Sequence, residues 1–231
     1  MKDSYLLPLT ILCFTVLGCS TIRETATNAG KGAPDANSNS GTANSSPSKR
    51  AATASADPKE DVIKASKKFI ELPSFSAKME ATGKNELRMQ VDYAAPDKFR
   101  ILYLGGTAAG MEMIMIGKQT YMKNDGKWSK MPVNLGGSIP NLRDSFTEEG
   151  LKTLTDVKFD GDDTVDGKPA LVYSYKNTTP KGDYPFTSKI WIGKDSGIPM
   201  KIAVDYAEGA LKTMNVVYDT ETPVEIEPPI N

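Results

Sequence analysis

The sequence predicts an α+β domain: a strongly curved antiparallel sheet of about ten strands, covered by an N-terminal helix and a helical insert. Three observations predict this fold class. Apolar and polar residues alternate with a period of two through most of the chain after residue 73, short turn sequences separate these segments, and two segments carry apolar residues at helical spacing instead. Because hairpin-linked strands with one apolar face need cover on that face, helices of the same chain are expected to supply it.

The N-terminal segment has the pattern of an export signal. Lys2 precedes an apolar run, Tyr5–Val16, which is too short to cross a bilayer core of about 30 Å as a helix. Residues Val16–Cys19 resemble the bacterial lipobox, in which the cysteine becomes the first mature residue and carries acyl chains. We therefore expect a lipoprotein signal peptide over residues 1–18 and lipid attachment at Cys19. An uncleaved N-terminal helix with two incidental cysteines is the alternative.

Residues 19–58 have the composition of a tether. Between Ser20 and Pro58 the only large apolar residue is Ile22, and the rest is mainly Ala, Ser, Thr, Asn, Gly and Pro. Such a segment buries too little apolar surface to offset its ordering entropy, so we expect disorder and a root-mean-square span of roughly 30–40 Å. A binding motif within the tether is the alternative.

The remaining residues, 59–231, are sufficient for one domain that begins with a helix. Asp57 and Pro58 form an N-cap and first-turn signal, and Pro73 stops the helix after Leu72. The apolar residues at helical spacing between these signals are Val62, Ile63, Phe69 and Ile70.

Ten segments with period-two alternation follow, separated by turn residues such as Gly, Asn and Asp. They are Phe75–Ala81, Leu87–Tyr93, Phe99–Leu104, Met111–Ile116, Gln119–Lys123, Val157–Val165, Ala170–Lys176, Phe186–Ile192, Ile198–Tyr206 and Leu211–Tyr218. Between the fifth and sixth, Pro140–Leu154 has helical spacing and predicts one or two short helices with a break near Gly150. The acidic, proline-rich tail Pro223–Asn231 is expected to be an extended edge.

Composition excludes several kinds of function. The net charge is −1, with 28 basic and 29 acidic residues, which argues against nucleic acid as a partner. The chain has no histidine, so we expect no enzymatic activity, no metal site and no cofactor. Asp160, Asp162 and Asp163 have two interpretations, a weak calcium site and a solvated acidic turn, and we favour the turn.

An apolar stripe along the predicted strands is the candidate site. It fits either a cavity for acyl chains, for which adaptable methionine side chains are well suited, or a packed core. Trp128 and Trp191 fit either the mouth of such a cavity or the core; we interpret Trp191 as a core residue and keep Trp128 as a candidate for the mouth. The loop Gly105–Gly110 lacks the Lys-Ser/Thr of a phosphate-binding loop and predicts a hairpin connection. The candidate cavity residues are Phe75, Met79, Leu87, Met89, Val91, Phe99, Ile101, Met113, Met115 and Trp128.

Three segments resemble the LolA/LolB-like lipoprotein-carrier superfamily. They are Tyr93–Arg100, Gly117–Trp128 and Lys189–Ile202. With the lipobox, the chain is closest in kind to lipid-anchored LppX/LprG-type lipoproteins. The resemblance implies a half-open β-barrel closed by helices, over residues 59–231, that holds acyl chains of a lipid or lipoprotein in an apolar cavity for transport or sorting.

The resemblance also implies a place in the cell. We expect a monomer in the bacterial cell envelope, bound to a membrane through its lipid anchor. Because Ser20 rather than Asp follows the cysteine, the periplasmic face of the outer membrane is favoured if the cell has one. The fold also occurs in envelope sensors, so an interaction lipoprotein that binds a regulatory protein partner is the alternative function.

Overall fold

The computed structural model describes residues 52–84, 86–132, 146–178 and 185–230. They belong to a compact unit, Arg50–Asn231. The predicted signal peptide, Cys19 and most of the predicted tether lie outside the described residues. Within the described ranges, neither helix has the length and hydropathy needed to span a membrane.

The described part of the unit contains two helices and eleven strands. The helices are α1 (Pro58–Ile70) and α2 (Glu148–Lys152). The strands are β1 (Ser74–Gly83), β2 (Leu87–Ala94), β3 (Lys98–Gly105), β4 (Glu112–Ile116), β5 (Gln119–Asn124), β6 (Lys127–Met131), β7 (Thr155–Val165), β8 (Lys168–Thr178), β9 (Pro185–Gly193), β10 (Pro199–Tyr206) and β11 (Leu211–Asp219).

All eleven strands form one unclosed, antiparallel sheet. Its order is β6-β5-β4-β3-β2-β1-β11-β10-β9-β8-β7, so every neighbouring pair except β1–β11 is also consecutive in the chain. The first and last strands therefore meet in the middle of the sheet, whereas β6 and β7 are its two edges. This arrangement agrees with the predicted half-open barrel.

The alternation along each strand separates two faces. We call the face that carries Phe75 and Met79 the inner face and the opposite one the outer face. The strand register aligns Met79 with Met89 on β2 and with Val216 on β11, so apolar positions match across neighbouring strands. These side chains and the buried side of α1 form the main hydrophobic core.

Helix α1 begins and ends close to the predicted residues. The Asp57 carboxylate accepts hydrogen bonds from the backbone N–H groups of Lys59 and Glu60, which confirms the N-cap. The helix ends at Ile70, before Pro73, with Glu71 as its C-cap. Near its end, Phe69 is fully buried and packs against aromatic residues of β1 and β11.

Residues 52–57, at the end of the predicted tether, are held against the domain. The N–H of Ala52 donates to the carbonyl of Lys194, at 2.8 Å, and the N–H of Ser55 donates to the Asp61 carboxylate, also at 2.8 Å. The chain therefore enters the domain beside the turn between β9 and β10.

Two predictions of secondary structure are wrong. Strand β6 (Lys127–Met131) is an eleventh strand; it has few apolar residues to mark it and is defined by its pairing with β5. The expected break near Gly150 does not occur, because its N–H donates to the hydroxyl of Thr147, the N-cap, and α2 continues through it. The part of the predicted insert at residues 140–145 lies outside the described residues.

The C-terminal tail also differs from its prediction. Residues 223–230 belong to no strand, so they are not an edge of the sheet. Instead, the tail crosses the outer face, where Ile226 is buried against Ile114 and Tyr121.

Candidate ligand-binding face

The structure brings nine of the ten candidate cavity residues together on the inner face. Seven of them are buried, whereas Leu87 and Phe99 are half-buried and pack against the same core. The seven buried residues are Phe75, Met79, Met89, Val91, Ile101, Met113 and Met115.

Trp128 is the exception, and its assignment to the cavity mouth is corrected. It pairs with Lys123 in the β5–β6 register and therefore lies on the outer face, together with Tyr121 and Ile114. Its ring is half-buried in a small outer cluster under the Lys123 ammonium, 5.5 Å from the ring centroid.

Two inner-face residues were missed by the sequence analysis. Tyr103 and Met122 are half-buried and pack against the main core from β3 and β5. The signal was present for Met122, because the register places it opposite Met113 and the alternation of Gln119–Lys123 puts it on that side. Together with Leu87 and Phe99, they form an apolar surface on the inner face of β2, β3 and β5 that is incompletely covered.

Helix α1 covers the other half of the sheet more closely. It lies against β7 and β10, and the ring of Phe69 reaches Phe75 on β1 and Tyr218 on β11. A cleft of about 390 Å³ remains between α1 and the inner face of β8 and β9. Its apolar lining is Ala65, Leu171, Tyr173 and Ile192, and Lys64, Lys67 and Lys68 also line it.

Three tyrosines of the inner face have raised pKa values. Burial raises the pKa of Tyr175 to about 12, although a hydrogen bond with Ser188 acts in the opposite direction. Burial also raises the pKa of Tyr218. Burial together with the hydrogen bond from its hydroxyl to Asp61, at 2.8 Å, raises the pKa of Tyr173. An apolar ligand that covers these three side chains at neutral pH therefore desolvates no phenolate.

The prediction of an acidic turn is corrected, because the three aspartates lie within strand β7, where they make ion pairs and hydrogen bonds. Asp160 contacts Ser174 and Lys189, and Asp162 pairs with Lys194 at 2.6 Å. Asp163 accepts a hydrogen bond from the indole N–H of Trp191, at 2.8 Å. Among the described residues, no group of acidic or cysteine side chains is placed to hold a metal ion.

Trp191 is not the core residue that was expected. Its ring is half-buried on the outer face, under the Lys201 ammonium at 4.5 Å from the centroid, and it belongs to neither hydrophobic cluster. Its neighbours Ile190 and Ile192 are buried on the inner face instead. The interpretation of Gly105–Gly110 as a hairpin connection is confirmed, since it joins β3 to β4 through hydrogen bonds that include Gly110 N–H to the Tyr103 carbonyl, at 2.8 Å.

One buried carboxylate lies on the outer face. Glu112 on β4 accepts from Arg100 at 2.6–2.7 Å and from Lys123 at 3.1 Å, and its side chain is 8% exposed. Burial by itself raises the pKa of Glu112, but the hydrogen bonds and charges of Lys123 and Arg100 together outweigh it and lower the pKa below the ordinary 4.5.

We expect the free energy of unfolding to fall less steeply in acid in Glu112→Gln than in the wild type. A carboxylate whose pKa is lowered by folding stabilises the native state above its unfolded pKa, near 4.5, and loses that contribution as the pH falls through the folded value. At pH 7 the variant should be less stable than the wild type, and the difference should shrink below about pH 4.5. Denaturant unfolding at several pH values measures it, with Glu80→Gln, an exposed glutamate on β1, as the control. A constant difference between pH 7 and pH 3 would refute the assignment.

The chain thus forms an unclosed, curved antiparallel sheet with an apolar inner face packed against a helix, the fold of the solved structures of LppX and LprF. The structure is similar to that of the Mycobacterium tuberculosis lipoprotein LppX, with a TM-score of 0.57 and 16% identity, covering 74% of this chain and 98% of that chain. It is also similar to LprF from Mycobacterium bovis, with a TM-score of 0.58 and 12% identity, covering 75% of this chain and 97% of that chain.

No protein-family model matches the chain, and no curated protein matches it in sequence. At identities of 12% and 16%, the similarity shows the fold alone. The resemblance inferred from the turn and hairpin motifs is confirmed at that level.

Proposed function

We propose that this protein is a lipid-anchored lipoprotein of the bacterial envelope that binds acyl chains of a lipid or lipoprotein on its inner face. Its role is transport or sorting by binding, without enzymatic activity. The observation that carries the proposal is the incompletely covered apolar surface on β2, β3 and β5, a kind of surface that marks interaction or ligand sites in soluble domains; it consists of Leu87, Phe99, Tyr103 and Met122.

The side chains on this surface suit an acyl chain. A hydrocarbon offers no polar group to recognise, so it needs only adaptable apolar walls. Met113, Met115 and Met122 supply unbranched, polarizable side chains on neighbouring strands, opposite the aromatic ring of Phe99. Buried apolar area at roughly 25 cal/mol per Å² would provide the free energy of retention.

Entry and release follow from the architecture. An unclosed sheet covered by separate helical segments can widen between sheet and helix without breaking strand pairs. The cleft of about 390 Å³ beside α1 supports such an opening, because it already separates charged residues of α1 from apolar side chains of the sheet such as Leu171 and Ile192. Release then requires a membrane or a partner that competes for the same apolar surface.

The anchor at Cys19 completes the proposal. The apolar run and the lipobox support export and acylation, and several acyl chains give stable attachment where a single chain is marginal. A tether before the compact unit would keep the ligand-binding face within reach of its membrane. Placement at the periplasmic face of an outer membrane, and a monomeric state, remain part of this proposal.

Mass spectrometry tests both parts in two arms. Native spectra of the Arg50–Asn231 unit, which lacks Cys19, should show non-covalent adducts of lipid mass that disappear after solvent extraction. Denaturing spectra of the full chain from a bacterial host should show acyl chains that are missing in Cys19→Ala. A unit that stays bare from every host and takes up no lipid from mixed vesicles would contradict the carrier function. An unacylated full chain would contradict the anchor.

A further inference from the structure

The C-terminal residues form a strap across the outer face, opposite the proposed ligand face. Beyond the last strand, Thr220–Ile230 has no strand pairing, and we call this segment the strap. The N–H of Val224 donates to the hydroxyl of Ser74, at 3.3 Å, and Ile226 is only 4% exposed. The strap is therefore an extended peptide held mainly through its side chains.

The surface under the strap is a compact apolar patch. Ile114 and Tyr121, which face each other in the β4–β5 register, are buried against Ile226. We call the cluster that Ile226 joins, with the side chains packed against it, the outer patch; its residues are Ala94, Ile114, Ile116, Tyr121 and Trp128. Apolar residues on the outer face of these strands do not pack in the main core. We therefore look for their role in the segment that binds over them.

The strap is attached lightly before it reaches the outer patch. Residues Thr220–Glu225 line a groove of about 1010 Å³ whose other side includes Ser76, Lys78 and Gln90 of the outer face. An ion pair joins Glu221 to Lys168 at 2.7 Å, but both side chains are more than half exposed, and such pairs contribute little. The far end thus depends chiefly on one buried side chain, Ile226, and on half-buried Val224.

Charges of opposite sign lie on the strap and beside the outer patch. The strap alternates carboxylates with its aliphatic residues, in the order Val224, Glu225, Ile226, Glu227. At the outer patch, the Lys130 ammonium lies over Tyr121, 5.9 Å from the ring centroid, whereas the Lys123 ammonium over Trp128 is already paired with Glu112. Lys130 therefore favours an acidic segment with aliphatic residues at alternate positions.

We propose that the outer patch is a docking site for such a segment of a partner protein, and that the strap is its occupant in the unbound molecule. The bound strap itself shows the chemistry that is recognised: two aliphatic side chains at alternate positions, flanked by carboxylates. Because a tethered segment acts at an effective concentration of about millimolar, only a partner that binds better than the strap, or at high local concentration, displaces it. This site is independent of lipid binding on the inner face.

Trp128 can report on the strap, because it packs against the same cluster as Ile226. The chain contains two tryptophans, so Trp191→Phe leaves Trp128 as the only one. In that background, deletion of residues 223–231 from the Arg50–Asn231 unit should shift Trp128 emission to longer wavelength as the ring becomes exposed. A synthetic peptide with the sequence Thr222–Asn231 should reverse the shift in a saturable manner. It should bind the undeleted unit about tenfold more weakly or worse.

A second variant and a matched peptide control keep the test decisive. Ile226→Asp within the complete unit should release the strap without deletion, and near-UV circular dichroism establishes that either variant is folded. The same peptide carrying Ile226→Asp should not restore the emission. The proposal would be overturned if the folded, strap-free unit showed no change in Trp128 emission with the peptide at millimolar concentration. Equal binding of both peptides would overturn it as well.

Discussion

Phe69→Ala is expected to lower the free energy of unfolding by about 3–5 kcal/mol, the range typical of removing a buried aromatic side chain. The ring of Phe69 is fully buried at the end of α1. Its centroid lies 4.5–4.9 Å from those of Phe75, Phe146 and Tyr218. It therefore packs the helix against β1 and β11, the first and last strands of the sheet in chain order. Its loss would leave a cavity at the centre of the core.

Guanidinium unfolding of the Arg50–Asn231 unit measures this effect, with an unchanged m-value indicating that the native and unfolded states remain comparable. Phe159→Ala is the matched control, since Phe159 is 40% exposed on edge strand β7 and stacks on a single ring, Tyr173. We expect it to cost less than about 1.5 kcal/mol. Equal losses in the two variants would show that α1 contributes little to covering the inner face.

Met122→Glu is expected to abolish lipid binding while the domain stays folded. Met122 is half-buried on the inner face, so a carboxylate there can reach water and the fold can tolerate it. An acyl chain laid over the same surface would have to desolvate that charge, which is unfavourable by several kcal/mol. We expect bound lipid to fall by about tenfold or more, measured as the lipid-to-protein ratio in native mass spectra.

Leu104→Glu provides the matched control for this experiment. Leu104 is 48% exposed, lies next to Tyr103 on β3 and belongs to neither hydrophobic cluster. The same charge is thus added to a nearby strand at a position outside the inner-face core. If both variants keep their lipid, the ligand does not lie on the inner face of β5. If both lose it, the effect is not specific to that face.

Most strands could be predicted because their signal is local. In β1, alternation of Phe75, Ala77 and Met79 with polar residues reports a sheet with one buried face, whatever its neighbours are. The N-cap at Asp57 and the stop at Pro73 are local in the same sense, since backbone geometry within one turn decides them. The short strand β6 lacks such a signal and depends on pairing with β5.

The candidate site was predicted in part for the same reason. Nine of the ten candidate cavity residues lie on one face, because side chains alternate between the two faces along a strand. Once one side chain of a strand is assigned to a face, every second residue follows. Trp128 was misplaced because β6 was not recognised. Without the pairing of β6 with β5, the face on which the Trp128 side chain lies could not be inferred. Trp191 was misplaced because a large aromatic ring favours burial on average, whereas Asp163 and Lys201 hold this one at the surface.

By itself, the sequence determined the secondary elements, the apolar face of each long strand and the resemblance to a carrier fold, since these depend on residues close together in the chain. Only the tertiary structure decided which strands became neighbours across long separations. Pairing of β1 with β11 follows from packing of the whole core, as does the burial of Ile226 against β4 and β5. No local period encodes such contacts, because their free energy comes from apolar surface that distant segments bury together.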